Sequence, residues 1–176
     1  PSNPVPVILV SSLNLKVFDA LNAGAVDFVR KPDVPDSRDA VISGLAQKVL
    51  VASMAKVRSA PLRSPSTAVV TPNLGGDPLL DRVIVGLGAS TGGTEATLEV
   101  MRRLPADIPP MVIVQHMPKG FTQMYADRLN RICKMEVREA KNGDELHRGL
   151  ALVAPADFQC RVVRIGDKYT VSCMPG

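Results

Sequence analysis

A chain of 176 residues has room for one complete domain or parts of two and can bury a real core, which excludes a mini-protein held together by staples. Hydrophobic residues make up 45% and charged residues 22%, as in globular proteins, but aromatics reach only 3%, so the core must be aliphatic and a base-stacking platform for nucleic acid is excluded. The net charge of +4, from 21 basic and 17 acidic residues, favours acidic partners without naming one.

At the amino terminus, Pro1-Ser2-Asn3-Pro4 has none of the basic-then-apolar pattern of a signal peptide. No apolar run anywhere approaches the ~18 residues of a membrane span. Three cysteines, an odd number without close metal-ligand spacing, suit a reducing compartment. A soluble, cytoplasmic protein with no membrane insertion is expected. A buried strand beginning only a few residues after Pro1 is abrupt for a whole gene product, so a fragment is expected as well.

The run Val7 to Val10 predicts a strand, and 13–23 a helix with Val17, Ala20 and Leu21 at helical spacing, stopped by Gly24. Residues 25–29 predict a second strand, closed by Arg30-Lys31-Pro32. Residues 39–56 predict a helix whose apolar positions 41, 42, 45, 49 and 50 share one face. This β-α-β-α order implies a parallel sheet. Pro, Gly and Ser then crowd 57–80 without periodicity, which marks a linker.

After the linker the alternation recurs: strand 82–87, helix 93–104, strand 111–115, helix 120–133 and short strand 135–139. Beyond Gly149 the texture is that of antiparallel structure. Residues 158–165 and 168–174 flank Gly166-Asp167, a pair suited to a type II′ hairpin turn. Counting outward from that turn sets Cys160 opposite Cys173 at a non-hydrogen-bonded pair, with Cβ atoms roughly 4.5–5.5 Å apart, slightly wider than a disulfide prefers. Two free thiols are expected there.

Val83-Ile84-Val85-Gly86-Leu87-Gly88-Ala89-Ser90-Thr91-Gly92-Gly93 is the most informative stretch, because a buried strand runs into a glycine-rich turn that opens a helix and aims N–H groups at an anion. One reading makes Gly86-x-Gly88 a dinucleotide cradle. That reading wants an acidic residue roughly 20 residues further on, and the next strand instead ends in Gln115-His116. The other takes Gly88-Ala89-Ser90-Thr91-Gly92 as a G-x-S-x-G turn that presents a nucleophilic serine. N–H groups near Thr91, Gly92 and Gly93 would then hold a tetrahedral oxyanion. His116, at the carboxyl end of the next strand, would be the base if the two strands are neighbours. A plainer alternative for Ser90 is a helix N-cap, and for His116 a structural residue. His147, in a polar turn, reads as a solvated surface residue.

The segment from Gly86 to Ala96, then Val114-Gln115-His116-Met117-Pro118 with Gly120-Phe121-Thr122, then Glu139-Ala140 with Gly143-Asp144, and Ala154-Pro155, closely resembles the chemotaxis receptor methylesterase family (CheB) from about residue 82 to the end. Pro6 to Ser12 and Gly24 to Pro32 resemble the last two strands of a response-regulator receiver domain, which in this family precedes the esterase. The resemblance implies part of a flavodoxin-like receiver over 1–56, a linker over 57–80, and over 81–176 the front of a three-layer, doubly wound, mostly parallel α/β esterase domain with an antiparallel hairpin.

The implied reaction is hydrolysis of glutamate methyl esters on methyl-accepting chemotaxis receptors, with deamidation of receptor glutamines. Ser90 would be the nucleophile, His116 the general base, and Thr91 a turn-shaping residue. Ser11, Phe28 and Lys31 would be the receiver's switch hydroxyl, switch aromatic and phosphate-sensing lysine, with a chemotaxis histidine kinase as phosphodonor. No metal is implied in the esterase site, and Mg2+ only in the part of the receiver before Pro1.

Two departures qualify the match. The family's acid, in a glycine-rich motif, has no counterpart here. Asp127 and Asp144 are the available carboxylates, and each has a plainer surface reading. The family's histidine after Ala-Pro-x-Asp is Gln159. A chain of this extent is expected to have little esterase activity by itself, and a non-catalytic regulatory or interaction module is the alternative. Lys119, Arg128, Arg131 and Lys134 are a basic group suited to acidic receptor helices or to a solvated helix face.

Overall fold

The computed structural model describes residues 5–12, 17–32, 38–55, 57, 80 and 82–176. The proposed linker lies almost entirely outside these residues, as does the start of the first predicted helix. The chain divides into two compact units, Pro1–Thr67 and Ala68–Gly176.

In the first unit β1 (Ile8–Ser11) and β2 (Asp27–Arg30) pair in parallel, joined through α1 (Val17–Asn22) and followed by α2 (Arg38–Ser53). Val17, Phe18 and Leu21 bury the inner stripe of α1. The sequence expectation for α2 needs correction. Its inward stripe carries 41, 44, 45, 48 and 52, while Ile42, Val49 and Leu50 remain exposed. Apolar residues surround this helix on nearly every side, so periodicity alone does not choose a stripe. An ion pair does: Lys48 Nζ lies 2.9 Å from the buried Asp27 carboxylate and donates to the Phe28 carbonyl at 3.1 Å.

In the second unit, β3 (Val85–Ala89), α3 (Gly93–Met101), β4 (Met111–Gln115), α4 (Thr122–Ile132), β5 (Glu136–Glu139) and β6 (Leu150–Val153) build a parallel sheet in the order β3-β4-β6-β5. Strand β6 corrects the expectation that parallel structure ends at Gly149. Leu150-Ala151-Leu152-Val153 is buried on both faces and enters between β4 and β5. A four-residue apolar run has no alternation to mark it as a strand, and its role comes from pairing on both edges.

Register assigns the two faces, because Met111 and Ile113 sit opposite Ala151 and Val153, and Val112 opposite Leu152. On Val112's side, Leu150, Leu152, Val171 and Cys173 form one apolar cluster with Ala140 and Leu146. Val171 and Cys173 belong to β8 (Lys168–Pro175), which pairs antiparallel with β7 (Phe158–Ile165). The hairpin therefore covers this face, and the helices α3 and α4 the other. The expected doubly wound three-layer domain thus takes the form of helices, parallel sheet and hairpin. Gly166 at φ 61° opens the hairpin turn, while Asp167 is not among the residues with positive φ, as a type II′ turn requires.

Candidate active site

Neighbouring parallel strands bring Ser90 and His116 to the same edge. β3 and β4 pair from Val85↔Met111 to Ala89↔Gln115, so both residues follow directly from the carboxyl ends of adjacent strands. The His116 N–H donates to the Ala89 carbonyl at 3.1 Å, which carries the pairing one step past the strand. Both side chains are exposed. This is the edge at which parallel α/β sheets place their ligands.

The turn between β3 and α3 is compact because Gly92 adopts φ 74°, ψ −5°, a left-handed conformation costly for any residue with a Cβ. Gly92 also occupies the N-cap position of α3, with no side-chain cap hydrogen bond. Ser90 is thus not the helix cap. Its carbonyl, not its hydroxyl, serves the turn by accepting the Gly93 N–H at 2.7 Å. Of the three residues considered for the oxyanion, Gly93 has therefore committed its N–H to the turn. The N–H groups of Thr91 and Gly92 have no hydrogen-bond partner among the described residues. Gly86 and Gly88 lie inside β3, paired with Val112 and Val114, so they form no phosphate-cradling turn and the dinucleotide reading fails.

Ser90 and His116 do not hydrogen-bond to each other in this structure, and no carboxylate bonds to His116 among the described residues. The two acids present are engaged elsewhere. Asp127 accepts from Gln123 at 2.8 Å, and Asp144 accepts from Arg138 and, at 2.7 Å, from the Lys141 N–H. His147 is exposed, its Nδ1 2.9 Å from the Arg148 carbonyl. Lys119, Arg131 and Lys134 are exposed, as a basic surface requires. Arg128 is not part of that surface: its side chain is 3% exposed and lies 2.8 Å from Glu95, joining α4 to the first turn of α3.

Gln115 is the site residue that the sequence reading passed over. Its side chain is buried beneath the turn, and its Nε2 donates to the Ser90 carbonyl at 2.9 Å and the His116 carbonyl at 3.4 Å. The available signal was a polar residue closing an otherwise apolar strand.

In the first unit, Ser11 and Lys31 come together at the carboxyl ends of β1 and β2, where the Lys31 N–H donates to the Ser11 carbonyl at 3.1 Å. Phe28 is buried. No cis peptide bond occurs among the described residues, Lys31–Pro32 included. No three His, Cys, Asp or Glu side chains converge as metal ligands among the described residues. The described residues of the first unit therefore offer no ligand set for the Mg2+ that the receiver resemblance implies. No helix among the described residues is long and apolar enough to cross a membrane.

Comparison with known proteins gives this geometry a context. A family model described as CheB methylesterase matches residues 85–175. A protein-glutamate methylesterase/protein-glutamine glutaminase 2 of Syntrophomonas wolfei is 43% identical over 179 residues, covering 100% of this chain and 51% of the relative. A protein-glutamate methylesterase/protein-glutamine glutaminase of Salmonella typhimurium is 38% identical over 180 residues, covering 98% and 50%. The crystal structure of the Thermotoga maritima CheB methylesterase catalytic domain superposes with a TM-score of 0.51 at 36% identity, covering 53% of this chain and 50% of that one. The chain spans about half the length of the curated relatives it matches.

Proposed function

The chain belongs to the CheB methylesterase family, and on that premise we propose that its protein is a protein-glutamate methylesterase and protein-glutamine deamidase acting on methyl-accepting chemotaxis receptors. The observation that carries this reading is the placement of Ser90 and His116 at the carboxyl ends of paired strands, beside the Thr91 and Gly92 N–H groups, which have no partner among the described residues. Ser90 Oγ attacks the ester carbonyl while the His116 imidazole takes its proton. The tetrahedral oxyanion is held by the Thr91 and Gly92 N–H groups. Collapse expels methoxide, which receives the proton from His116 and leaves as methanol. Water, deprotonated by the same imidazole, then releases the glutamate and restores Ser90. A glutamine amide follows the same course with ammonia as the leaving group.

The first unit is read as receiver structure. Support comes from the parallel β1-β2 pair, from Ser11 and Lys31 at its carboxyl edge, and from buried Phe28. Phosphorylation by a chemotaxis histidine kinase would then control the esterase, in the cytoplasm where receptor signalling domains lie. Exposed Lys119, Arg131 and Lys134 supply positive charge for acidic receptor helices.

The test is methanol release from methylated receptor by the full-length protein. Ser90→Ala and His116→Ala are each expected to lower it by at least about a thousandfold, and retained release in Ser90→Ala would refute the assignment. The missing contact between Ser90 and His116 favours one second reading, a regulatory module without turnover. Receptor binding with no methanol release from the unsubstituted protein would support it.

A further inference from the structure

We propose that Gln115 is the positioning residue of the oxyanion hole: its carboxamide clamps the Ser90 carbonyl and so aims the Thr91 N–H at the reacting oxygen. This rests on Ser90 as nucleophile.

The Ser90 C=O and the Thr91 N–H belong to one planar peptide unit and point in opposite directions, so whatever orients the carbonyl orients the N–H. Two donors hold that carbonyl, the Gly93 N–H at 2.7 Å and Gln115 Nε2 at 2.9 Å. The first is local to the turn. The second comes from the end of β4 and ties the turn to the strand that delivers His116, whose own carbonyl shares the same Nε2 at 3.4 Å. The nucleophile's peptide and the base's backbone therefore share a single donor.

The arrangement has a cost that packing alone would not accept. Gln115 Oε1 is buried and has no hydrogen-bond partner among the described residues. Such a group is unfavourable wherever an apolar side chain of similar length would serve. Exchanging the amide's oxygen and nitrogen offers no escape, because the oxygen would then face the Ser90 carbonyl. The site is also cut to accept the side chain, since a Cβ on Gly93 would stand 2.4 Å from Oε1. A buried polar group kept at a loss, in a space left by a glycine, and donating to the one carbonyl coupled to the oxyanion donor, is accounted for by aiming that donor.

An oxyanion donor acts on the charge that develops in the transition state and leaves substrate binding alone. In the full-length protein, Gln115→Met, of similar length and without a donor, is expected to lower kcat roughly ten- to a hundredfold while KM stays within about twofold. The concentration of folded sites is set by titration with a fluorophosphonate. Should this variant not fold, Gln115→Leu, shorter and equally unable to donate, carries the same expectation. An unchanged kcat, or a loss expressed in KM alone, overturns the proposal. Ser90→Ala measured alongside separates the two levels. Turnover retained there refutes the site and the proposal together, whereas turnover lost there but intact in the Gln115 variant refutes only the positioning role.

Discussion

Gly93 and Gln115 occupy complementary space: an added Cβ on Gly93 would lie 2.4 Å from Gln115 Oε1 and 2.6 Å from Ala89 Cβ. The first contact is the end of a side chain, but one held under the turn by two hydrogen bonds. The second is a strand residue with nowhere to go. Gly93→Ala is therefore expected to destabilise the second unit by about 1–3 kcal/mol, as overpacking does, read as a lower urea midpoint. An unchanged midpoint would mean that the turn relaxes freely.

The Glu95–Arg128 pair holds the first turn of α3 against α4, with the arginine side chain 3% exposed and the glutamate 36%. Glu95→Gln removes charge from the partly solvated partner and leaves the buried guanidinium less compensated. The expected cost is roughly 1–3 kcal/mol. A thermal unfolding midpoint equal to that of the unsubstituted protein would count against a structural role for the pair.

Tyr125 is fully buried, and its hydroxyl donates to the Thr94 carbonyl at 3.3 Å. Burial pushes its pKa up to about 12, opposed in part by its hydrogen bond to Thr97 and by Arg128. In the unfolded chain the phenol ionises near pH 10, so between about pH 10 and 12 the folded state holds a proton that the unfolded state has lost. The stability linked to this group is therefore complete below pH 10 and is lost as pH rises through 12. Urea midpoints taken across this window should fall more steeply in the unsubstituted protein than in Tyr125→Phe. Parallel slopes would contradict the prediction.

Cys160 and Cys173 face each other across the hairpin as the register requires, with sulfurs 3.8 Å apart and both thiols free. Burial, and then the neighbouring Cys173, push the Cys160 thiol up to about 12. Burial also raises the Cys133 thiol. Alkylation of these two by iodoacetamide should be slow at neutral pH and accelerate as pH rises, because the thiolate is the nucleophile. An intact mass lower by two hydrogens and restored by reductant would show instead that Cys160 and Cys173 are bonded.

Thr122 opens α4 with its hydroxyl donating to Glu139 at the end of β5 and accepting the Ala156 N–H at 3.4 Å. Thr122→Val keeps the shape and removes both bonds. A loss of about 1–2 kcal/mol is expected, together with faster hydrogen exchange at the Ala156 amide. Unaltered exchange at Ala156 would show that the loop after β6 is held by other means.

Several features were legible from residues alone because their causes are local. Alternating apolar and turn-forming residues located β3, α3, β4 and α4. Gly-Asp set the hairpin and, through it, the Cys160–Cys173 register. The G-x-S-x-G spacing identified the turn at Gly92. Other features were not legible. β6 has no periodicity, the buried stripe of α2 depends on where Asp27 attracts Lys48, and Arg128 reads as surface charge until Glu95 is seen beside it.

The amino-acid sequence by itself thus determined β3, α3, β4 and α4, the glycine-rich turn at Ser90 and the pairing within the hairpin, since these follow from backbone preferences over a few residues. Only the tertiary structure decided that β6 enters between β4 and β5, and that β3 lies beside β4 so that Ser90 and His116 share an edge. It also decided that Gln115 reaches the Ser90 carbonyl across 25 residues. Strand order and burial are long-range outcomes, set by which apolar faces cover one another, and no local window of residues encodes them.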